Sequence, residues 1–187
     1  MIPDELRAML DELSATTDEA KEGLIAYVRA ALVSLEGDYG GAIASLEKAL
    51  DVFKQTGERE GENVTYGMLA VIYNHTSQFA EGYGMLNRAL DLATERNDES
   101  RVAWCRLTLA HVFHNVHEHE RALEYLEKAE ETYRRTDDGI GIVNTLYAKS
   151  MNLSQLGRHD EAIRYAEEAA AHPMSDMNPT QGVYLQV

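Results

Sequence analysis

Four histidines fall within nine residues, His111, His114, His117 and His119, and His159 and His172 follow in later turns. Imidazoles at such spacing could ligate a metal. His111 and His114 are three apart and share a helix face, so a cation could bridge them if Glu118 or a residue from a neighbouring segment joined in. Cys105 precedes them by six and nine residues, a thiol that could pair with an imidazole base. Both readings weaken on spacing. Cys105, His111 and His114 lie on one helix at separations that do not set up mutual hydrogen bonding, and no second ligand cluster has a recognised metal-site spacing. His117 and His119 occupy a turn where other parts of the chain carry Gly37, Ser77 and Gly157 with Tyr39, Phe79 and His159, so they read as turn variants. No G-x-S-x-G, phosphate-cradling glycine loop or H-E-x-x-H is present. The adjacent acids Glu130–Glu131 and Glu167–Glu168 point to different helix faces. The sequence therefore predicts a non-enzymatic chain, with no catalytic residue, no metal and no cofactor.

The elements that carry these side chains repeat every forty residues. Ala30, Ala70, Ala110 and Ser150 form one set, Ala42, Gly82, Ala122 and Ala162 a second, and Ala49, Ala89, Ala129 and Ala169 a third. Larger residues keep the same step: Val33, Tyr73, Phe113 and Leu153, then Leu46, Leu86, Leu126 and Ala166. A fixed period of this length means stacked supersecondary units. Within one period, Ala26, Ala30 and Val33 recur at helical steps, a turn follows at Glu36–Tyr39, and Ala42, Leu46, Ala49, Leu50 and Phe53 share a second helix face. Each unit therefore reads as helix, tight turn, helix, longer turn. Small residues at the crossings let the axes approach closely. Gly37 and Gly157 suit the left-handed end of a helix, whereas Ser77 and His117 predict another solution for their turns. The outer turns are expected at Thr56–Gly61, Arg96–Arg101, Thr136–Gly141 and Asp176–Gln181.

"LEGDYGGAIASLEKAL" (35–50), "NVHEHERALEYLEKAE" (115–130) and "LGRHDEAIRYAEEAA" (156–170) carry small and large apolar positions in the order of a tetratricopeptide repeat, and the chain resembles that family. The resemblance implies an all-α fold, a right-handed solenoid of antiparallel helix pairs. The period is forty, not the family's usual thirty-four, and Lys54, Thr94, Arg134 and Met174 stand where the family often closes its second helix with proline. The helices should therefore run about a turn longer. Such extended units are similar to those of bacterial regulators and signalling proteins that couple a repeat array to an output domain. The expected organisation is a single domain over 1–187, with a half repeat at 4–22, repeats at 23–62, 63–102, 103–142 and 143–182, and the start of a further helix at 183–187.

Charge narrows the partners. Seventeen Lys and Arg against thirty-two Asp and Glu give a formal net charge of −15, which argues against a nucleic-acid surface, so no nucleic-acid partner is expected. Acidic clusters such as Glu58–Glu62 and Asp137–Asp138 read as solvated loops. One cysteine allows no intrachain disulfide, and neither a membrane-length apolar run nor a signal-peptide pattern is present, so the expectation is a cytoplasmic protein that uses no membrane.

In arrays of this kind the first helices line the concave surface. The first-helix residues opposite the packed alanines are mostly apolar and aromatic, with Asn and His among them, and Leu107 and Val71 could instead fill space against a neighbouring helix. The partner-binding candidates are Tyr27, Asn74, Trp104, His111, His114, Asn144, Tyr147 and Met151, a set suited to gripping a peptide main chain while its aromatic members take side chains. The carboxylate clamp by which some family members hold acidic chaperone tails is not expected. Its matching positions, Tyr27, Ala31, Met68, Trp104 and Thr108 in one frame and Gly67, Val71, Thr108, Asn144 and Ala148 in the other, include no basic residue. The reading is a non-catalytic protein- or peptide-binding scaffold, the sensory or partner-docking module of a bacterial regulator. The alternatives are a homodimerisation module, or a regulatory array attached to a catalytic or DNA-binding domain beyond residue 187.

Overall fold

A computed structural model describes residues 7, 8, 11 and 21–175. The half repeat at 4–22 falls almost entirely, and the segments 176–181 and 183–187 entirely, outside the described residues. Among the described residues eight helices follow one another: α1 (Glu22–Leu35), α2 (Tyr39–Thr56), α3 (Arg59–His75), α4 (Phe79–Glu95), α5 (Glu99–Asn115), α6 (His119–Arg135), α7 (Gly139–Gln155) and α8 (His159–Ala171). They fall into two compact units, Met1–Leu92 and Ala93–Val187.

In the first unit α1 packs on α2 and α2 on α3, and α1 also touches α3. The alanines at the crossings are sealed: Ala30, Ala42, Ala49 and Ala70 are 0% exposed, as is Leu46. Gly82 of α4 lies so close to α3 that a Cβ there would stand 3.3 Å from the Ala70 carbonyl oxygen and 3.5 Å from the Asn74 nitrogen. The second unit repeats the scheme. Consecutive helices from α5 to α8 pack, α5 also touches α7, and Ala110, Ala122, Leu126 and Ala129 are fully buried. Large and small residues are matched at the helix ends as well. The Phe53 and Tyr133 rings occupy the space that a side chain at Gly61 or Gly141 would need, and the alanine at position 93 of the series is followed eight residues on by Arg101 instead of a glycine.

The links differ from the sequence expectation. The second helices do run long, but the outer turns are no longer than the inner ones: α2 continues to Thr56, α4 to Glu95 and α6 to Arg135, and each following helix starts within three or four residues. The reason is one stop signal used at every link. A residue of positive φ recurs every twenty residues, at Gly37, Gly57, Ser77, Asn97, His117, Asp137 and Gly157. Around each, the following N–H donates back to a carbonyl five residues before it, as in Glu58 to Phe53, Gln78 to Tyr73, Glu118 to Phe113 and Asp138 to Tyr133, at 2.7–2.9 Å. That is the Schellman arrangement, which satisfies carbonyls the helix end leaves open. The residue that closes one helix then opens the next. Asp38, Asp98 and Asp138 accept from the backbone N–H groups of Gly41, Arg101 and Gly141 at 2.8–3.0 Å.

Ser77 and His117 therefore need no other solution; both take the left-handed conformation at φ 61°. An L side chain pays for that conformation in strain, and glycine does not. Ser77→Gly is accordingly expected to stabilise the chain by about 0.5–1 kcal/mol, read as a higher midpoint in urea unfolding with an unchanged slope. A lower midpoint would show that the serine side chain contributes more than its backbone strain costs.

Candidate functional site

Six of the eight expected binding residues lie on α5 and α7 of the second unit, two helices that are in contact. Trp104 is half-buried on α5, its carbonyl accepts from the Thr108 hydroxyl at 2.9 Å, and the Arg101 guanidinium stands 5.6 Å from its ring centroid. His111, one face-turn further on, is half-buried; burial, with a smaller push from His114, takes its pKa from the ordinary 6.5 down to about 4. It is a neutral imidazole at pH 7. On α7, Asn144 and Tyr147 are half-buried and Met151 is 39% exposed. Leu107 is buried and fills space between helices, whereas Val71, in the first unit, is 45% exposed.

The first-unit candidates are placed differently. Tyr27 on α1 packs against the core of Ala26, Ala49 and Phe53 while remaining half-buried. Asn74 is half-buried in the last turn of α3, where its backbone nitrogen faces Gly82.

His114 is engaged inside the second unit. Its Nδ1 lies 3.0 Å from Oδ1 of Asn152, and Nδ1 of His119 lies 3.1 Å from the same oxygen. The His114 and His119 rings stand edge-on with centroids 5.2 Å apart, and His117 lies 5.8 Å from His119. Burial lowers the His114 pKa; the Asn152 bond works against that, and the neighbouring His119 and His117 add to it. Sequence reasoning passed over Asn152, which is 1% exposed. The available signal was its register: the same position holds Leu32, Ile72 and Val112, all buried, so a carboxamide there needed a partner.

A second missed group is ionic. Lys149 and Glu130 pair at 2.6 Å with side chains only 7% and 13% exposed. Arg134 binds Glu130 at 2.7 Å and reaches Glu168 of α8 at 2.5 Å, so one network joins α6, α7 and α8. Burial works to raise the Glu130 pKa, but the hydrogen bonds from Lys149 and Arg134 prevail and hold it below the usual carboxylate value. Lys149 takes the position of Leu69 and Leu109, and Glu130 that of Leu50 and Leu90.

The residues singled out for nucleophilic chemistry lie in a different setting. Cys105 is fully buried, and burial pushes its thiol up to about 12, so it packs as a small apolar group and is not a thiolate. Among the described residues no three His, Cys, Asp or Glu side chains converge as a metal set, and no helix is long and apolar enough to cross a membrane.

The tetratricopeptide repeat model matches residues 61–135 and 106–172, together more than half of the chain. The chain belongs to the tetratricopeptide repeat family, an all-α helical-repeat fold typical of protein-interaction scaffolds. Its structural likenesses include BtubC (BKLC) from P. vanneervenii, with a TM-score of 0.75 at 20% identity, covering 88% of this chain and 68% of that one. A Rap protein complexed with competence and sporulation factor aligns over 95% of this chain and 50% of its own, with a TM-score of 0.79 at 24% identity. Aspartyl phosphate phosphatase F from Bacillus subtilis aligns over 80% and 39%, with a TM-score of 0.74 at 18% identity. The chain thus spans half or less of the last two proteins, and at these identities the likeness is one of fold. No curated protein matches the sequence.

Proposed function

We propose that the chain is a non-catalytic docking scaffold that holds a protein segment or peptide on the α5–α7 face. The observation that carries this reading is that Trp104, Tyr147 and Met151 are half-buried or exposed on two touching helices that also carry His111 and Asn144. Large aromatic side chains that are half-exposed yet held in place lose little entropy when a partner covers them, which is why such residues anchor interfaces. Neutral His111 and Asn144 keep the face uncharged, so a partner can cover it without a charge to desolvate. Tyr27 and Asn74 are proposed to extend the same role to the first unit, and His114 to support the face from behind. The fold shared with a Rap protein bound to competence and sporulation factor supports a peptide as ligand and a bacterial regulator as the setting.

The test is Trp104→Ala with Tyr147→Ala, compared with the parent chain in affinity capture from the source cell and quantified by mass spectrometry. Partners should fall at least tenfold in the double variant while its helical circular dichroism is retained. An unchanged partner set on a folded variant would sink the reading.

One observation supports homodimerisation as a second reading. Ile163 of α8 is 55% exposed, although the residue forty before it, Leu123, is 8% exposed. Sedimentation velocity on parent and Ile163→Glu chains across a hundredfold concentration range decides it. Concentration-dependent dimers lost in the variant are expected; a parent chain that stays monomeric throughout removes it.

A further inference from the structure

The two compact units fill one set of register positions differently. Two repeats apart, Leu50 and Leu69 stand for Glu130 and Lys149, Lys54 for Arg134, and Arg88 for Glu168. In the second unit Arg134 meets both Glu130 and Glu168, and Glu130 also meets Lys149, so each charge has its opposite. In the first unit both acids are gone. The cation at position 54 remains, and a second cation, Arg88, takes the place of the acid that bridges to it in the second unit. Leucine occupies the position of the central carboxylate.

Lys54 and Arg88 line one groove of about 470 Å³ over α3, between α2 and α4. Its floor is apolar, from Leu50, Leu69 and Met85, and its walls carry the Tyr66 and Tyr73 rings. Both cations are exposed, and neither makes an ion pair among the described residues; the Lys54 ammonium stands 5.5 Å from the Tyr66 ring centroid. Glu62, buried at the same end, is paired with Arg59 at 3.5 Å. Glu47, the other acid of the lining, precedes Lys54 by two turns of α2, about 10 Å along the helix axis. It belongs to the opposite end, where burial, then Glu47 and Glu81, raise the Tyr73 pKa. The groove is thus apolar along its length, acidic at one end and basic at the other.

We propose that this groove docks a protein segment carrying a carboxylate side chain among apolar ones, the carboxylate entering between Lys54 and Arg88 as Glu130 enters between Lys149 and Arg134. The Glu47 end then favours a lysine or arginine about three residues away on an extended segment, at roughly 3.3 Å per residue. A free carboxylate is a poorer occupant, because exposed cations on flexible stems hold a lone charge weakly. A peptide adds apolar side chains over the half-buried Tyr73 and Met85, and that burial supplies the rest. None of these residues belongs to the α5–α7 face or to either frame of the carboxylate clamp, so the site stands independently of the docking face proposed above.

The experiment selects random short peptides displayed on phage against the full chain at about 150 mM salt, and measures the synthesised winners by fluorescence anisotropy. Enriched sequences should carry Glu or Asp beside apolar residues, and exchanging that acid for Gln or Asn should weaken binding about tenfold. Lys54→Gln with Arg88→Gln, both at exposed positions, should weaken it as much while helical circular dichroism is retained. Leu50→Glu with Leu69→Lys installs the second unit's pair, places a carboxylate beside Lys54 from within the chain, and should abolish binding. If that variant does not fold, the exposed-cation variant decides alone. A selection that returns only basic peptides, or winners that bind the Lys54→Gln, Arg88→Gln chain as tightly as the parent, overturns the proposal. Winners lost instead in Trp104→Ala with Tyr147→Ala belong to the α5–α7 face and overturn it too. So does Lys54- and Arg88-dependent binding of phosphatidylserine vesicles when no acidic peptide is enriched.

Discussion

Glu130→Ala is expected to destabilise the second unit by about 3–5 kcal/mol, because it strands a buried ammonium group. Lys149 has a side chain 7% exposed, and Glu130 is its carboxylate at 2.6 Å. With the carboxylate gone, Lys149 is left as an uncompensated charge in a poor solvent. Glu127, which lines a groove together with Lys149, offers a longer-range substitute and sets the lower end of the range. Arg134 would keep Glu168 and lose little. The pH dependence has a definite sign. The Glu130 pKa is depressed in the folded chain, so its contribution is present above the ordinary carboxylate value and is lost as the pH falls through the folded one. Urea unfolding at pH 7 measures the effect, and a loss under about 1 kcal/mol would class the network with exposed ion pairs.

The same pair makes a sharper claim when both partners change. Leu50 and Leu69 occupy the corresponding positions of the first unit and line one groove there. The repeat itself thus supplies the apolar alternative. Glu130→Leu with Lys149→Leu should restore most of what Glu130→Ala removes, since replacing a buried ion pair by packed apolar groups is often neutral or favourable.

Most of the architecture was readable because the forty-residue ladder consists of residues that can serve only one purpose. Ala42, Ala122 and Leu126 are 0% exposed for the reason their sizes suggested. The links were harder. Glycine marks Gly37, Gly57 and Gly157, but Ser77, Asn97, His117 and Asp137 adopt the same left-handed turn, so the twenty-residue step was hidden by residue types that tolerate strain without advertising it. Of the candidate site, the sequence placed Trp104, Tyr147 and Met151 on the first helices of their repeats, where they are half-buried or exposed, and their binding role is the proposal made above. Asn152, Lys149 and Glu130 were not found because each stands alone as a polar letter on an apolar face, and its partner lies on another helix. Comparison across the repeats at fixed register points to them, since Asn152 stands where other units have Leu32, Ile72 and Val112, Lys149 where they have Leu69 and Leu109 beside Arg29, and Glu130 where they have Leu50, Leu90 and Ala170.

Ala110→Leu tests whether packing is as local as a repeat array requires. Ala110 and Ala122 are both 0% exposed at the contact of α5 with α6, so three additional carbons have no space to enter. Either the helices move apart or the leucine takes a strained rotamer, at a cost on the order of 1–3 kcal/mol, with the upper end expected at so close a crossing. In a chain whose helices contact chiefly their neighbours, that strain stays near its source. Hydrogen exchange on the variant should quicken across residues 100–136 and, more weakly, in α7, whose contact with α5 transmits part of the displacement. Residues 30–50 should keep their protection. Uniform acceleration from Leu24 to Ala170 would instead mean one cooperative core, in which α1 and α2 share the penalty of a substitution made in α5, and the repeat-by-repeat account of stability would fail.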